Sequence, residues 1–181
     1  IKALQKKLGF TAIMVTHDRE EAMIMADKIV VLNNHGEIAQ KGSPEEVFNN
    51  PNSEFIAEFM GAENILSLKV KMDDSFLIIK AGPYNEQTRI KQEYIPQSLR
   101  KDGILKSHFR SETAKLVQPD TEISEGLLMI GIVTQVTYPG GFFRHAVSVG
   151  DLSFLVDHEH RIETGEISGI FLEPEDLHLF E

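Results

Sequence analysis

The sequence contains no cysteine and no tryptophan, and it has no long apolar run. Without cysteine there are neither disulfides nor thiolate metal sites, and a reducing compartment is compatible with this composition. No stretch approaches the roughly 20 apolar residues that a membrane-spanning helix needs. An excess of basic residues is also missing, because the formal net charge is −10 and both the first 63 residues and the remainder are acidic. This charge argues against broad binding of nucleic acid or anionic membranes.

The 181 residues that are present suffice for one medium domain or two small ones. The first part mixes helix and strand patterns. Helices are predicted over residues 1–8 and 19–27 and in the stretches "SPEEVFNNP" and "NSEFIAEFMG", and buried strands in "TAIMVT" and "KIVVL". The turn signal "NNHGE" joins "KIVVL" to "EIAQKG" as a hairpin. The chain also begins partway into a helix-like pattern without methionine, and we expect a fragment whose upstream part has been removed.

From about residue 64 the pattern changes to short β-like runs such as "ILSLKV", "GIVTQVTY" and "GIFL", separated by turn residues. Turns every ten or so residues predict a small all-β barrel or sandwich. We therefore predict two domains, an α/β part over residues 1–63 and a β domain over residues 64–181.

The stretch "IMVTHDREEA" contains the main candidate functional residue, His17. If Ile13 to Val15 form a buried strand and Asp18 caps a helix, His17 lies at the carboxyl end of a strand, where ligands collect in open α/β sheets. From position alone, a histidine bonded to local backbone is the competing interpretation. Asp18 is expected to act as the N-cap rather than in catalysis.

Residues 9–66 closely resemble the end of the nucleotide-binding domain of ABC transporter ATPases, in the subgroup of bacterial importers. The motifs "VTHD", "EA", "AD", "GSP", "FMG" and "N" occur in the family's order. The second half resembles the TOBE-type β domain of these subunits, which has an OB-like barrel. In "HFRSETAKL", Ser111 stands where the family has proline. The fold class implied is an α/β remnant of an ABC ATPase domain followed by an all-β OB-like (TOBE) barrel.

The resemblance implies that His17 is the switch histidine of the H-loop, whose imidazole contacts the γ-phosphate of ATP. It also implies ATP and Mg²⁺ as cofactors of the intact subunit. The G-x-x-x-x-G-K-[ST] phosphate loop, the LSGGQ signature and the Walker B strand are absent from this sequence. We therefore expect the fragment alone to bind no cofactor and no metal and to be inactive as an ATPase.

The implied partners are transmembrane permease subunits and a second ATPase subunit, with a homodimer formed through residues 64–181. The implied location is cytoplasmic, peripheral on the inner face of the membrane. The transported substrate is left open among iron, sulfate, phosphonate, polyamine and sugar.

Three further clusters allow alternatives. His158 and His160 could share a metal ion or lie in a polar turn, and "EPED" at residues 173–176 could hold paired catalytic carboxylates or a turn into the last strand. The glycines of "YPGGFF" could form a ligand loop, although a β-turn is favoured. A second function also stays open, a β-barrel module that senses a small oxyanion. Its candidate basic residues are scattered, which favours the ATPase interpretation: Lys101, Lys106, Arg110, Arg144 and Arg161.

Overall fold

The computed structural model describes residues 2–73, 75–80 and 88–180. The chain forms two compact units, Ile1–Gly61 and Ala62–Glu181. Among the described residues, the first unit contains four short helices and one hairpin, and the second contains ten strands. The helices of the described residues have six or seven residues each, so none could span a bilayer.

The elements of the first unit are α1 Lys2–Leu8, α2 Arg19–Met25, β1 Ile29–Leu32, β2 Ile38–Gly42, α3 Pro44–Asn49 and α4 Glu54–Phe59. Local capping chemistry explains where the helices begin. Ser43 and Glu46 form the reciprocal capping box of α3, and the Ser53 side chain accepts from the Ile56 amide at the start of α4. Strands β1 and β2 pair antiparallel as the predicted hairpin. These four helices and this hairpin confirm most of the local predictions.

The predicted buried strand "TAIMVT" is wrong in this chain. Residues 11–16 have no strand assignment, and their apolar side chains face solvent, with Ile13 93% and Val15 96% exposed. A strand needs a hydrogen-bonded neighbour, and no described strand pairs with this segment. The apolar pattern alone could not reveal whether such a neighbour is available.

The core of the first unit is small. Ile29 and Val31 of β1 pack with Val47 of α3 and with Ile56 and Met60 at α4. Ala22 and Met23 of α2 and its C-cap residue Ala26 pack against this core. The middle of α2 is therefore held against the hairpin and the two following helices.

The second unit consists of two five-stranded antiparallel sheets around one core. Its strands are β3 Asn64–Asp73, β4 Phe76–Lys80, β5 Thr88–Lys91, β6 Gly103–Phe109, β7 Lys115–Val117, β8 Leu127–Thr137, β9 Phe143–Val149, β10 Leu152–His158, β11 Ile167–Leu172 and β12 His178–Phe180. One sheet has the order β12-β6-β3-β4-β5 and the other the order β10-β9-β8-β11-β7.

Side chains from both sheets meet in one apolar cluster, in which Leu68 and Leu105 of the first sheet pack with Val147, Phe154 and Ile170 of the second. The alternation of buried and exposed residues along β3 and β10 follows from the period of two in strands. The predicted fold class, a mixed α/β part followed by an all-β barrel-like domain, is confirmed.

Asn64 joins the two sheets at the start of β3. Its side chain is 1% exposed, donates to the Leu155 carbonyl oxygen at 2.8 Å and accepts from the Leu155 amide at 2.7 Å. The amide group therefore pairs with β10 as a neighbouring strand would. Asn64 therefore satisfies both backbone polar atoms of Leu155 on the edge strand β10 of the second sheet.

We expect Asn64→Ala to lower the free energy of unfolding of the second unit by about 2 kcal/mol, because two hydrogen bonds are lost in a buried place. Urea denaturation followed by tyrosine fluorescence measures this, since all three tyrosines lie within residues 62–181. The matched control is Ser67→Ala at an exposed position of the same strand, expected within about 0.5 kcal/mol of the original chain. Equal costs for the two variants would refute the role of Asn64.

Candidate functional site

His17 lies in a turn directly before α2, and hydrogen bonds fix the backbone on both sides of it. The Asp18 side chain accepts from the amides of Glu20 and Glu21 at 2.8 and 3.0 Å, which confirms Asp18 as the N-cap. The Thr16 hydroxyl accepts from the Asp18 amide at 3.0 Å and donates to the Glu21 carboxylate at 2.8 Å. Asp18 and Glu21 therefore form only half of a reciprocal capping box, because the Glu21 side chain bonds Thr16 instead of the Asp18 backbone.

The His17 side chain is exposed and makes no hydrogen bond among the described residues. The competing interpretation, a histidine bonded to local backbone, is therefore not supported by this geometry. An exposed imidazole on a fixed turn can donate to, or accept from, a molecule that approaches from outside. The role of His17 as the γ-phosphate switch stays a prediction.

The histidines of "DHEHR" use their polar atoms locally. The His158 Nδ1 accepts from the His160 amide at 3.1 Å, and the ring of His158 lies edge-on to that of His160 at 5.7 Å. No group of three potential ligand side chains is placed to hold a metal ion among the described residues. The polar turn accounts for both histidines.

The other two clusters are also turns. In "EPED", residues Pro174–Asp176 form a 3₁₀ turn before β12, and Glu173 pairs with Lys115 of β7. Burial is the main cause that raises the pKa of Asp176, and the carboxylates of Glu173 and Glu175 add to it. In "YPGGFF" the Gly141 amide donates to the Tyr138 hydroxyl at 3.0 Å, and Gly141 has a φ of +83°. That φ belongs to a left-handed turn, in line with the favoured β-turn.

A half-buried ion pair that no local pattern predicted joins β9 and β10. Arg144 donates from Nε and Nη2 to the two carboxylate oxygens of Asp157 at 2.7 and 2.8 Å. The Ser111 hydroxyl donates to Asp157 at 2.9 Å, and Glu63 lies 3.4 Å from the Arg144 Nη1. Burial alone would raise the pKa of Asp157, but the hydrogen bonds from Arg144 and Ser111 hold it below its ordinary value. The one sequence signal was Ser111 in place of proline, since proline could not make this contact.

A second feature that sequence reasoning missed is a buried histidine, His108 of β6. Its ring is 0% exposed and stacks on His178 of β12 with centroids 4.8 Å apart, and neither ring nitrogen has a hydrogen-bond partner in the part of the chain that the structure describes. Burial, followed by the neighbouring charges of His178 and Arg110, lowers the pKa of His108 to about 3. The neutral ring thus behaves as part of the apolar core. Ser107 and Phe109 are buried as well, so alternation gave no signal here.

Two of the basic residues considered for an oxyanion sensor are already bound to carboxylates. Arg144 is bound to Asp157, and the Arg161 Nε donates to Glu163 at 2.9 Å. A polar cleft of about 270 Å³ lies beside β5, lined by Thr88, Arg89, Ile123, Ser124 and Glu125. Its Arg89 already donates to the Ser124 carbonyl oxygen, and the Glu125 carboxylate would repel an anion.

Comparison with known proteins places the chain in a class. It belongs to the ATP-binding subunits of ABC importers, of which it is a C-terminal part. It is 35% identical over 181 residues to the spermidine/putrescine import ATP-binding protein PotA of Clostridium novyi (strain NT), covering 100% of this chain and 48% of that protein. The proteins of the same description from Onion yellows phytoplasma (strain OY-M) and Borrelia garinii subsp. bavariensis are 34% and 32% identical, with 40% and 47% of their lengths covered.

The chain thus spans about half the length of the curated relatives it matches. No protein-family model matches it. A solved structure of the cytoplasmic molybdate-binding protein ModG with molybdate bound has a TM-score of 0.49 and 11% identity, covering 66% of this chain and 96% of that one.

Proposed function

We propose that this chain is the C-terminal part of the ATP-hydrolysing subunit that powers an ABC importer, and that His17 is its γ-phosphate switch. The single observation that supports this most is the exposed His17 ring on a turn fixed by Thr16 and Asp18, in a chain of this family. Phosphoryl transfer needs oriented donors toward the phosphate oxygens more than it needs covalent help. The His17 imidazole supplies one such donor.

The remaining parts of an ATP site come from elsewhere in the intact subunit. The sequence contains no phosphate loop, and the described residues contain no group of three ligand side chains that could hold Mg²⁺. These residues therefore do not fit the metal, and His17 is the contact with ATP that we assign to this chain. By itself the chain is expected to have no ATPase activity above buffer.

The exposed apolar residues before His17 support the same proposal. Ile13 and Val15 are more than nine-tenths exposed, together with partly exposed Phe10 and Met14. Isolated apolar side chains are common on surfaces, but a contiguous run marks a surface that another part of the protein covers. In the intact subunit, segment 11–16 would become the strand predicted from its sequence, paired with strands from the rest of the nucleotide-binding domain. His17 would then follow a strand end.

The descriptions of the relatives named above support an extension of this proposal to the partners and to the transported substrate. The intact subunit would bind transmembrane permease subunits on the cytoplasmic face of the membrane and would work with a second ATPase subunit. Residues 64–181 would form the contact between the two copies. Since each relative named above is described as a spermidine/putrescine import protein, we propose a polyamine as the cargo. The oxyanion-sensor alternative is favoured by no described contact, because Arg144 and Arg161 are already bound to carboxylates.

The test is His17→Ala in the intact subunit assembled with its permease. Removing one hydrogen-bond donor to the transferred phosphate is expected to lower the kcat of ATP hydrolysis roughly 100-fold, while binding of ATP persists. A phosphate-release assay and a fluorescent ATP analogue measure the two quantities. The matched control is His35→Ala, another exposed histidine, on the β1–β2 turn. Retained hydrolysis in His17→Ala would refute the switch. Hydrolysis by the 181-residue chain alone that His17→Ala abolishes would instead contradict the expected inactivity of the isolated chain.

A further inference from the structure

Arg19, the first residue of α2, contacts the glycine that ends the first unit. Gly61 follows α4 with a φ of +83°, and its amide donates to the Glu58 carbonyl oxygen at 2.8 Å. A methyl group built on Gly61 would lie 2.0 Å from Nη1 and 2.7 Å from Cζ of Arg19. The guanidinium therefore occupies the space that any side chain at position 61 would need.

Arg19 is also close in sequence to the switch, because only Asp18 separates it from His17. Farther along α2, Ala22 and Met23 rest on the core of the first unit, so the middle of the helix is held there. The contact with Gly61, in contrast, is made from the first turn of α2, because Arg19 is the first residue of this helix. That first turn carries the amides bonded by the Asp18 cap, and the cap sets the direction of the chain at His17.

On the other side of Gly61 the chain is held by the β unit. Glu63 pairs with Arg144 at 3.4 Å, and Asn64 bonds both backbone atoms of Leu155. Ala62 is therefore the one residue between the contact made by Gly61 and those made by Glu63 and Asn64. A change in the backbone at residues 62–64 therefore reaches Gly61 through a short stretch of chain, and it reaches Arg19 through the non-covalent contact with Gly61.

We propose that Arg19 is a positioning residue that links the His17 turn to the connection between the two units, so that the β unit regulates the switch through this connection. The regulatory role rests on the function proposed above, whereas the link from Gly61 through Arg19 to His17 is a property of this chain. Arg19 acts through the first turn of α2 and touches no substrate. Coupling of this kind requires one shared element whose conformation depends on both sites. Here that element is the turn from His17 to Arg19.

The link is tested on the 181-residue chain by the imidazole ¹H–¹³C signals of His17, assigned with His17→Gln. We expect Gly61→Ala and Arg19→Ala each to shift these signals. The matched control is Gly36→Ala, because Gly36 has a similar φ of +79° but nothing within 4 Å of an added methyl group. Gly36→Ala carries the backbone strain without displacing a side chain, and the His17 signals are expected to stay in place.

A double variant separates a link through Arg19 from simple strain. In the Arg19→Ala background, Gly61→Ala is expected to add no further shift, since the group that it displaces is gone. The link would be overturned if the signal shifts of the two single variants simply added in the double variant. A Gly61→Ala spectrum identical to that of Gly36→Ala would overturn it as well. If Gly61→Ala unfolds the first unit, Arg19→Lys provides the test, because this substitution keeps the charge and removes the planar guanidinium group. Unchanged His17 signals in Arg19→Lys would also overturn the link.

The regulatory role is tested in the intact subunit assembled with its permease. Arg19→Ala is expected to lower kcat about fivefold with the KM for ATP unchanged, because it alters the placement of His17 and not the binding of nucleotide. Normal kcat in Arg19→Ala together with a large loss in His17→Ala would overturn this inference alone. Normal kcat in His17→Ala would instead overturn the proposed function and, with it, the regulatory role of Arg19.

Discussion

Replacing Arg144 with methionine is expected to destabilise the β unit by about 3 kcal/mol, because it leaves the Asp157 carboxylate buried without its counter-charge. The side chain of Asp157 is 10% exposed and receives two hydrogen bonds from Arg144. After the substitution, Ser111 is the remaining side-chain donor to Asp157 that the structure shows. The loss of the Glu63 contact adds little, because that pair is partly exposed and longer.

The measurement is urea denaturation of the chain with tyrosine fluorescence, which reports on residues 62–181. Lys115→Met is the matched control, since Lys115 pairs with Glu173 at the surface with side chains 57% and 44% exposed. That variant is expected to leave the midpoint of urea denaturation close to that of the original chain, because an exposed ion pair contributes little. A similar small cost for Arg144→Met would show that the carboxylate is solvated after all.

The double variant Arg144→Met with Asp157→Leu sharpens the test. If the cost of Arg144→Met comes from the unpaired charge, removing the charge as well restores much of the lost stability. Additive losses from the two single substitutions would mean instead that the methylene groups and the local hydrogen bonds carry the effect.

Acidification is expected to destabilise the β unit through His108. Its pKa is about 3 in the folded chain against an ordinary 6.5, first because the ring is buried. Between these two values the unfolded chain binds a proton that the folded chain does not. The stabilising contribution of the neutral ring is therefore complete above pH 6.5 and is lost as the pH falls toward 3. From pH 7 to pH 4 the loss at this one residue is about 3 kcal/mol.

The groups that face His108 act in the same direction. His178 stacks on its ring from β12, and the charge of Arg110 also opposes protonation. Burial, followed by Arg110, lowers the pKa of His178 itself, so His178 also takes up a proton on unfolding once the pH falls below its ordinary pKa. Strand β12, which pairs with β6 through His178 and Phe180, is the element that protonation would release first.

Stability against pH is measured by urea denaturation from pH 7 to pH 4 on the original chain and on His108→Phe, which keeps an aromatic ring beside His178 and Phe180. The variant is expected to lose much less stability on acidification. His160→Gln, at an exposed position, is the control and should follow the original chain. Parallel pH profiles for the original chain and His108→Phe would contradict the assignment.

Local chemistry made several features of the fold predictable. The Ser43 capping box of α3, the Asp18 cap of α2 and the turn between β1 and β2 depend on residues within a few positions of one another. The alternation in "ILSLKV" likewise identified β3, because one face of a strand is buried. The position of His17 directly before α2 follows in the same way from the cap at Asp18, whereas its role as the switch stays a prediction.

What the sequence could not reveal depends on partners distant in the chain. The segment "TAIMVT" has the composition of a strand, but a strand exists only where another strand offers its backbone groups. Asn64 pairs with Leu155, and Arg144 lies 33 positions from Ser111 and 13 from Asp157. No periodicity links such positions, so their contacts became visible only in the folded chain.

The sequence by itself determined the helix starts, the hairpin, the change from a mixed to an all-β pattern and the place of His17, because each of these rests on interactions between near neighbours. The tertiary structure alone decided the order of strands in the two sheets, the burial of His108 and the packing of Arg19 over Gly61. These depend on which distant surfaces exclude water together, and that is a property of the assembled core.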